Sequence, residues 1–555
     1  MSSATPAPTT QRLRRLPLTG VLRLGRPSDI WFKPALSVVA AVAPPNLTLL
    51  ALDRLDLAVC TMAGSLCALY AHNRPYAARA RALAWVVLGM LGGLAVALVT
   101  ASLTTNAAVL VTVGALLAAV QKVLCDATRI GPPGNVILTF VSSAALFAPQ
   151  TLAQVPGHLA LGVVAGVWSW LVCMAPALVR PYGPERRATA HALNAAVAYA
   201  DTRGTGDAHA RAVAAAAVQA AWQSLLSVRA RSTTRRALQR LVVRAEVALA
   251  APADTDPARL RAWARELRGT RSVPHPGDAD ADELLGVDID LAASKQPLRR
   301  ALAPLTPIAL RTALGCALAG YASLALGIGR PYWALVTAAA LYQANLTLTW
   351  SRGVQRVVGN LAGVLLFAAV APLAHLGPAA LVLCCLAFNF GAEALIGRNY
   401  WLGSVCVTPM ALLITEFTGF QNPGTLIVER VVDTLVGALV GLVAAAAVTN
   451  RRAGDRLERA LAVAERARER TARLLSEPHP DAGALQAARR SLAAALADLR
   501  ATADAASGEW WQRALPQERV VLVEQSGHRT LAATVRRQSP DLDRDTGMMT
   551  EDARP

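Results

Sequence analysis

Charge is scarce in this chain, and acidic charge is the scarcer kind. Only 17% of the 555 residues are charged, and 55 Lys plus Arg outnumber 37 Asp plus Glu, for a formal net charge of +18. Ordinary soluble domains hold about 25% charged residues. With 54% hydrophobic residues and a mean hydropathy of +0.37, the composition excludes an ordinary soluble protein and defines a membrane protein. The basic excess does not point to nucleic acid, because it clusters where apolar segments end and no recognition motif accompanies it. Such placement orients spans in a bilayer and draws anionic lipid.

Chemistry-bearing patterns are also missing. The eight cysteines (60, 67, 125, 173, 316, 384, 385 and 406) include no Cys-x-x-Cys pair and have no histidine at ligand spacing. This excludes a zinc site and a disulfide framework and leaves them as small packing residues in helices. There is no P-loop, no Gly-x-Ser-x-Gly elbow and no His-Glu-x-x-His, and the eight histidines are scattered. The chain is therefore read as no enzyme, with no cofactor and no metal, and any transport must draw on a gradient or a partner. No cleavable signal peptide is expected, because the first residues are polar and basic (Arg12, Arg14, Arg15, Arg23, Arg26) and lack a cleavage site.

What is present is a series of apolar runs near the length needed to cross about 30 Å of hydrocarbon. Six fall at 34–52, 55–71, 82–102, 107–125, 134–149 and 158–179. Six more follow a polar region, at 308–328, 332–349, 357–374, 377–396, 399–417 and 426–448. Pro44-Pro45 interrupts the first and the fifth is short, so either is open to being broken. With the N-terminus inside, the inner turns hold Arg74, Arg79, Arg81, Arg129, Arg180, Arg186, Arg187, Arg352, Arg356, Arg398, Arg451 and Arg452. The outer turns hold only Arg54 and Arg330. The positive-inside rule thus places both termini in the cytoplasm of an inner-membrane protein.

The two sets repeat each other. Ala68-Leu69-Tyr70-Ala71-His72-Asn73 and Ala340-Leu341-Tyr342-Gln343-Ala344-Asn345 each end an apolar segment, and each is followed by arginines and a Gly-bearing apolar helix. Both copies lie at inner turns, so the halves share one orientation and read as parallel repeats. The fold class is all-α: two parallel six-span repeats with helical cytoplasmic domains. The expected units are a tail at 1–33, membrane repeats at 34–180 and 307–449, polar helical domains at 181–306 and 450–540, and a disordered tail at 541–555. The acidic run Asp278, Asp280, Asp282, Glu283, Asp288 and Asp290 lacks the Gly and Glu positions of a calcium loop and reads as a solvated linker. Helices at about 452–475 and 482–505 form an expected antiparallel hairpin that packs on the central polar helices.

Charges inside spans are the default functional candidates, since each costs at least about 2.5–3.5 kcal/mol at mid-bilayer. Glu429 and Asp433 lie four apart on one helical face with Arg430 beside Asp433, which fits either a proton-carrying carboxylate pair or a structural ion pair. Glu393 sits one turn from Arg398, and Lys122 lies four residues before Asp126; both read as interface ion pairs. Arg311 is read as snorkelling. Trp333 and Thr337 open the eighth span, while Arg352 and Arg356 offer two cations at the inner mouth, for organic anions or for topology alone. Gly359 and Gly363 have small-xxx-small spacing, and Thr408-Pro409 is a kink or a site.

At Arg330-Pro331-Tyr332-Trp333-Ala334, Thr337, Arg352, Arg356, Gly359, Gly363 and the span Arg430 to Gly441, the second half resembles the fusaric acid resistance and aromatic acid exporter family. The resemblance implies a secondary transporter that exports aromatic or other organic carboxylic acids. It also extends distantly to plant anion channels that pass malate. On it, Arg352 and Arg356 face the anion with Trp333, Thr337 and Thr408, while Glu429, Arg430, Asp433 and Glu393 are coupling or ion-pair candidates. Gln343-Ala344-Asn345 departs from the Pro-containing stretch of that family. A passive organic-anion channel and a membrane scaffold or sensor acting through the polar domains are the alternatives. The partners expected are the lipid bilayer, a small organic anion and a second copy in a homo-oligomer, with no nucleic acid.

Overall fold

A computed structural model describes residues 18–25, 31–202, 208–227, 232–250, 255–269, 272–274, 305–343, 345–448, 453–478, 480–507 and 517–538. The acidic run at 278–290, the arginines at 12, 14, 15 and 26, and the tail at 541–555 lie outside them. The first half contains α1 (Phe32–Ala51), α2 (Ala58–Ser65), α3 (Tyr76–Leu103), α4 (Ala107–Thr128), α5 (Val136–Leu146), α6 (Val155–Met174) and the short α7 (Pro176–Val179). A polar bundle follows with α8 (Gly183–Asp201), α9 (Ala208–Leu226), α10 (Thr233–Ala250) and α11 (Pro257–Arg268). The second half contains α12 (Thr306–Ala325), α13 (Tyr332–Leu341), α14 (Leu346–Ala374), α15 (Pro378–Ile396), α16 (Tyr400–Thr415) and α17 (Pro423–Ala447). A second polar bundle is built from α18 (Ala453–Ser476), α19 (Ala482–Ser507) and α20 (Gln517–Gln538).

The result is an all-α, multi-pass membrane protein, and every expected apolar run falls on a helix. Eight helices are long and apolar enough to cross a bilayer. Three expected spans are short instead: Leu55–Leu69, Val136–Leu146 and Tyr332–Leu341. At 1.5 Å per residue, α13 covers only about 15 Å, half of the hydrocarbon. The eighth span does not run on to 349. It stops where Tyr342 turns extended, and Asn345 caps α14 by accepting from Leu348 N at 2.8 Å. The first span, with Pro44 and Pro45 inside, is by contrast a continuous helix.

The sequence repeat marks equivalent breaks. Tyr70 and Tyr342 are both buried and both extended, each between a short second helix and a long third one. Tyr70 donates from its hydroxyl to the Gly134 carbonyl at 2.7 Å. Helix packing repeats too: α2 lies on α6 as α13 lies on α17, and α3 lies on α5 as α14 lies on α16. Across the halves α1 packs on α15 and α12 packs on α4, so the first helix of each half meets the fourth helix of the other. This reciprocal interface relates the halves by a pseudo-twofold. One face of the membrane unit carries the starts of α1 and α12, the ends of α7 and α17, and both polar bundles, so the halves are parallel; that face is called inner below. The contacts there include Arg311 on the Val448 carbonyl, Asn345 on the Asp504 carbonyl, and Gly183 beside Tyr76.

Two close approaches explain why the short helices stay buried. A Cβ on Gly64 of α2 would strike the backbone of Gly162, Ala165 and Gly166 in α6, and a Cβ on Gly437 of α17 would lie 2.5 Å from the Ala334 carbonyl oxygen in α13. Small residues at such crossings let helix backbones touch where lipid offers no hydrophobic drive. The polar bundles form as a pair. The expected hairpin is α18–α19, α20 is an addition to it, and α19 and α20 pack on α9 and α10. At that contact Glu246 accepts from both Trp222 Nε1 and Arg489 Nη2, each at 2.7 Å, and Arg490 stacks on the Trp222 ring.

Two outcomes are expected. Gly64→Leu and Gly437→Leu should each lower detergent stability by about 1–3 kcal/mol through overpacking, whereas Gly92→Ala, whose Cβ meets open space, should be neutral or stabilising in a thermal melt. Burial and the nearby Arg211 push the His528 imidazole in α20 down to about 4. The native state therefore binds fewer protons than the unfolded one below an ordinary histidine pKa of about 6.5, and stability falls as pH drops from there towards 4. In His528→Gln the melting temperature should fall less over that window.

Candidate functional site

In the second half the polar side chains of α12, α13, α14, α16 and α17 meet one another in a column running from the outer to the inner face. At the outer end, Arg330 bonds both Glu429 and Gln421, and Gln421 donates to the Thr415 carbonyl at 3.2 Å. His375 lies against the buried Glu416 at 3.0 Å on the same side. One turn inward on α17, Asp433 accepts from the Ser323 hydroxyl at 2.6 Å. Arg430 is buried with its guanidinium over the Trp333 ring, 4.1 Å from the centroid.

Deeper still, Asn360 joins three helices. Its amide nitrogen donates to Thr434 at 3.0 Å and its carbonyl oxygen accepts from Thr408 at 2.6 Å. Below it Arg356 donates to the Tyr400 hydroxyl at 2.9 Å, and Arg352 stacks on the Tyr400 ring at 3.8 Å. Gly359 and Gly363 make this possible, because their missing side chains let Trp401, Ser404, Val405 and Thr408 of α16 lie against α14.

The column is not fully satisfied. Arg430 Nε and Nη1, Arg356 Nε, Asp433 Oδ2 and the Thr337 hydroxyl are buried with no hydrogen-bond partner among the described residues. Arg356 and Tyr400 both lie within electrostatic range of Arg430. Arg430 thus has both a carboxylate, Asp433, and a second guanidinium, Arg356, near it, while Glu429 is matched by Arg330. Arg79 in the first half shows the opposite case. It is equally buried, yet it donates to the carbonyls of Ala71, His72 and Cys173 and stacks on Tyr76. A buried guanidinium with open donors is costly unless an anion or water completes it.

Of the residues singled out from sequence, Trp333, Thr337, Arg352, Arg356, Thr408, Arg430 and Asp433 lie along this column. Glu429 belongs to its outer end and pairs with Arg330 rather than with Arg430. Lys122 and Asp126 form the expected ion pair at 2.9 Å. Glu393 stands apart: no ion pair with Arg398 closes among the described residues, and the Arg398 carbonyl accepts from Gly25 N instead. Arg311 does not snorkel; it is buried and donates to the Val448 carbonyl. Sequence reasoning missed Asn360, Thr434, Ser323 and Tyr400, because it ranked charges above neutral polar residues. An asparagine inside an apolar 29-residue helix was the available signal.

These features define a multi-pass helical membrane protein whose second half carries a cation-rich polar column. Residues 317–444, which contain every column residue from Ser323 to Thr434, match the fusaric acid resistance protein-like family. A Bacillus subtilis (strain 168) protein described as the uncharacterized membrane protein YvaC is 34% identical over 122 residues, which is 22% of this chain and 19% of that protein. The match therefore spans about a fifth of that relative's length. No solved structure matches.

Asn360→Val should remove both interhelical bonds while leaving Thr408 and Thr434 their intrahelical acceptors, Ser404 and Arg430 carbonyls. Interhelical polar bonds in membranes are worth about 0.6 kcal/mol on average and at most about 1.7. The variant is expected to lose about 1–3 kcal/mol in a reversible detergent-unfolding measurement, and no loss would show that the bonds are not formed.

Proposed function

We propose that the second half moves organic carboxylates, aromatic ones above all, across the cytoplasmic membrane as a secondary exporter, with the polar bundles on the cytoplasmic side. The observation that carries this reading is Arg430: a buried guanidinium with two nitrogens unpartnered among the described residues, stacked on Trp333 and backed by Arg356. A carboxylate would satisfy the open donors by charge-assisted bonds. An aromatic body would lie against the stack formed by Trp333, Tyr332, Phe140 and Phe147, whose centroids are 4.9–5.7 Å apart in sequence of contact.

Asp433 is the coupling candidate. It shares a helix with Arg430, keeps one oxygen open, and lies one turn inward of the outer Arg330–Glu429 pair. Glu429, being ion-paired, serves as an outer latch. The family match at 317–444 supports a transporter-type protein, and the substrate reading rests on the chemistry of the column.

Inside-out vesicles with an imposed pH gradient and labelled benzoate provide the test. Hydrogen bonds to a charged group are worth about 1.5–3 kcal/mol, so Arg430→Gln and Arg356→Ala should each lower uptake by about tenfold or more. Asp433→Asn should abolish the response to the gradient while counterflow exchange persists. Uptake that ignores both arginine variants would remove the site, and wild-type flux indifferent to the gradient would make it a passive path.

A further inference from the structure

Residues 18–25 precede the first half, yet the described hydrogen bonds that tie them to the rest of the protein go to the second. They cross the inner face of the second half and lie on the inner ends of α14 and α16. Their main-chain groups are taken up one after another. The Val21 carbonyl accepts from Gln355 Nε2 at 2.9 Å and from Asn399 Nδ2 at 3.1 Å. The Leu22 carbonyl accepts from Trp401 Nε1 at 3.1 Å, and the Arg23 carbonyl from Asn399 Nδ2 at 3.0 Å. Gly25 N donates to the Arg398 carbonyl at 2.8 Å. A turn held by Arg23 N on the Gly20 carbonyl, with Gly20 at φ +87°, aims the segment, and Val21 is its buried anchor.

The receiving residues are neighbours of the column. Gln355 precedes Arg356, and Asn399 and Trp401 flank Tyr400, the residue that holds Arg352 and Arg356. We propose that residues 18–25 are a strap that closes the inner end of the polar column and must lift for solute to enter. Four of its five bonds come from side chains and only one from backbone, and it adds no strand or helix to the fold. Each such bond contributes modestly, so the strap is held firmly enough to be ordered and loosely enough to leave. Leu22 and Leu24 remain exposed, so its outward side is free to change surroundings when it moves. The closure is a matter of geometry; its role as a gate rests on the transport reading above.

The two levels separate by experiment. In the purified full chain in detergent, Gln355→Cys reports on closure through labelling by a bulky polar maleimide, corrected for the chain without that cysteine. The reporter gives up the Gln355 bond and leaves the strap's other four, so labelling should be slow with residues 18–25 present and at least tenfold faster after their deletion. It should rise by an intermediate amount in Asn399→Asp/Trp401→Phe, which keeps a side-chain acceptor to cap α16 but removes three of the strap's bonds. Equal labelling in all three overturns the strap. In vesicles the double variant should raise benzoate flux severalfold; unchanged flux, where wild-type flux depends on Arg430, overturns the gate. If no variant including wild type moves benzoate, the transport reading falls and the labelling alone decides the strap.

Discussion

The arrangement of the second half follows from one electrostatic constraint: a guanidinium has been placed where water is scarce. Removing an ion from water costs several kcal/mol even after the protein relaxes, and Arg430 recovers this only in part, through the Trp333 face and the charge of Asp433. Every close neighbour bears on that deficit. Gly437 lets α13 come near enough for Trp333 to lie under the cation. Ser323 holds Asp433 from α12, and Asn360 ties α14, α16 and α17 one turn further in.

The first half shows what the same architecture does without that constraint. Its helices pack in the same pairs, yet its interior holds a network of neutral groups, in which Thr139 donates to Gln121 at 3.0 Å and Gln121 donates to Ser142 at 2.9 Å, while Ser65 Oγ, Ser143 Oγ and His72 Nε2 are buried with no partner among the described residues. Its buried arginine, Arg79, spends its donors on carbonyls that close the chain around Tyr70. Its tyrosine hydroxyl is bonded to Gly134, while that of Tyr342 presses on Gly315 with no partner among the described residues. The first half is therefore a buttress, held to the second by α1 on α15 and α12 on α4, and also by the aromatic stack from Phe140 and Phe147 to Trp333 and Tyr332.

Much of this was legible in the sequence, because hydrophobic length and arginine placement are one-dimensional properties. The twelve apolar segments, the duplication at Tyr70 and Tyr342 and the shared orientation of the halves needed no contacts to be read. The short helices were harder. Tyr332–Leu341 is apolar throughout and is followed by Gln343 and Asn345; the Asn345 cap on Leu348 N is a local signal, whereas the close approach of α17 at Gly437 that buries α13 is a tertiary fact. Pairing was harder still. Spacing on α17 set Glu429 with Asp433 and put Arg430 beside Asp433, but Arg330, 99 residues away in sequence, pairs with Glu429. Neighbours along a helix compete with neighbours across it, and only the second kind are fixed by the fold.

That competition also explains why the column is polarised along its length. Glu429 is consumed at the outer end by Arg330, and Tyr400 is sandwiched between two arginines at the inner end. The open carboxylate oxygen lies at Asp433, and the open guanidinium donors lie at Arg430 and, further in, at Arg356 Nε. A charge with no fixed partner gains most from a mobile one, because the low dielectric around it strengthens whatever interaction is finally made. On the proposed transport reading, the outer latch, the inner strap and the unsatisfied groups between them are parts of one arrangement: the ends are closed by protein, and the interior is left for an anion.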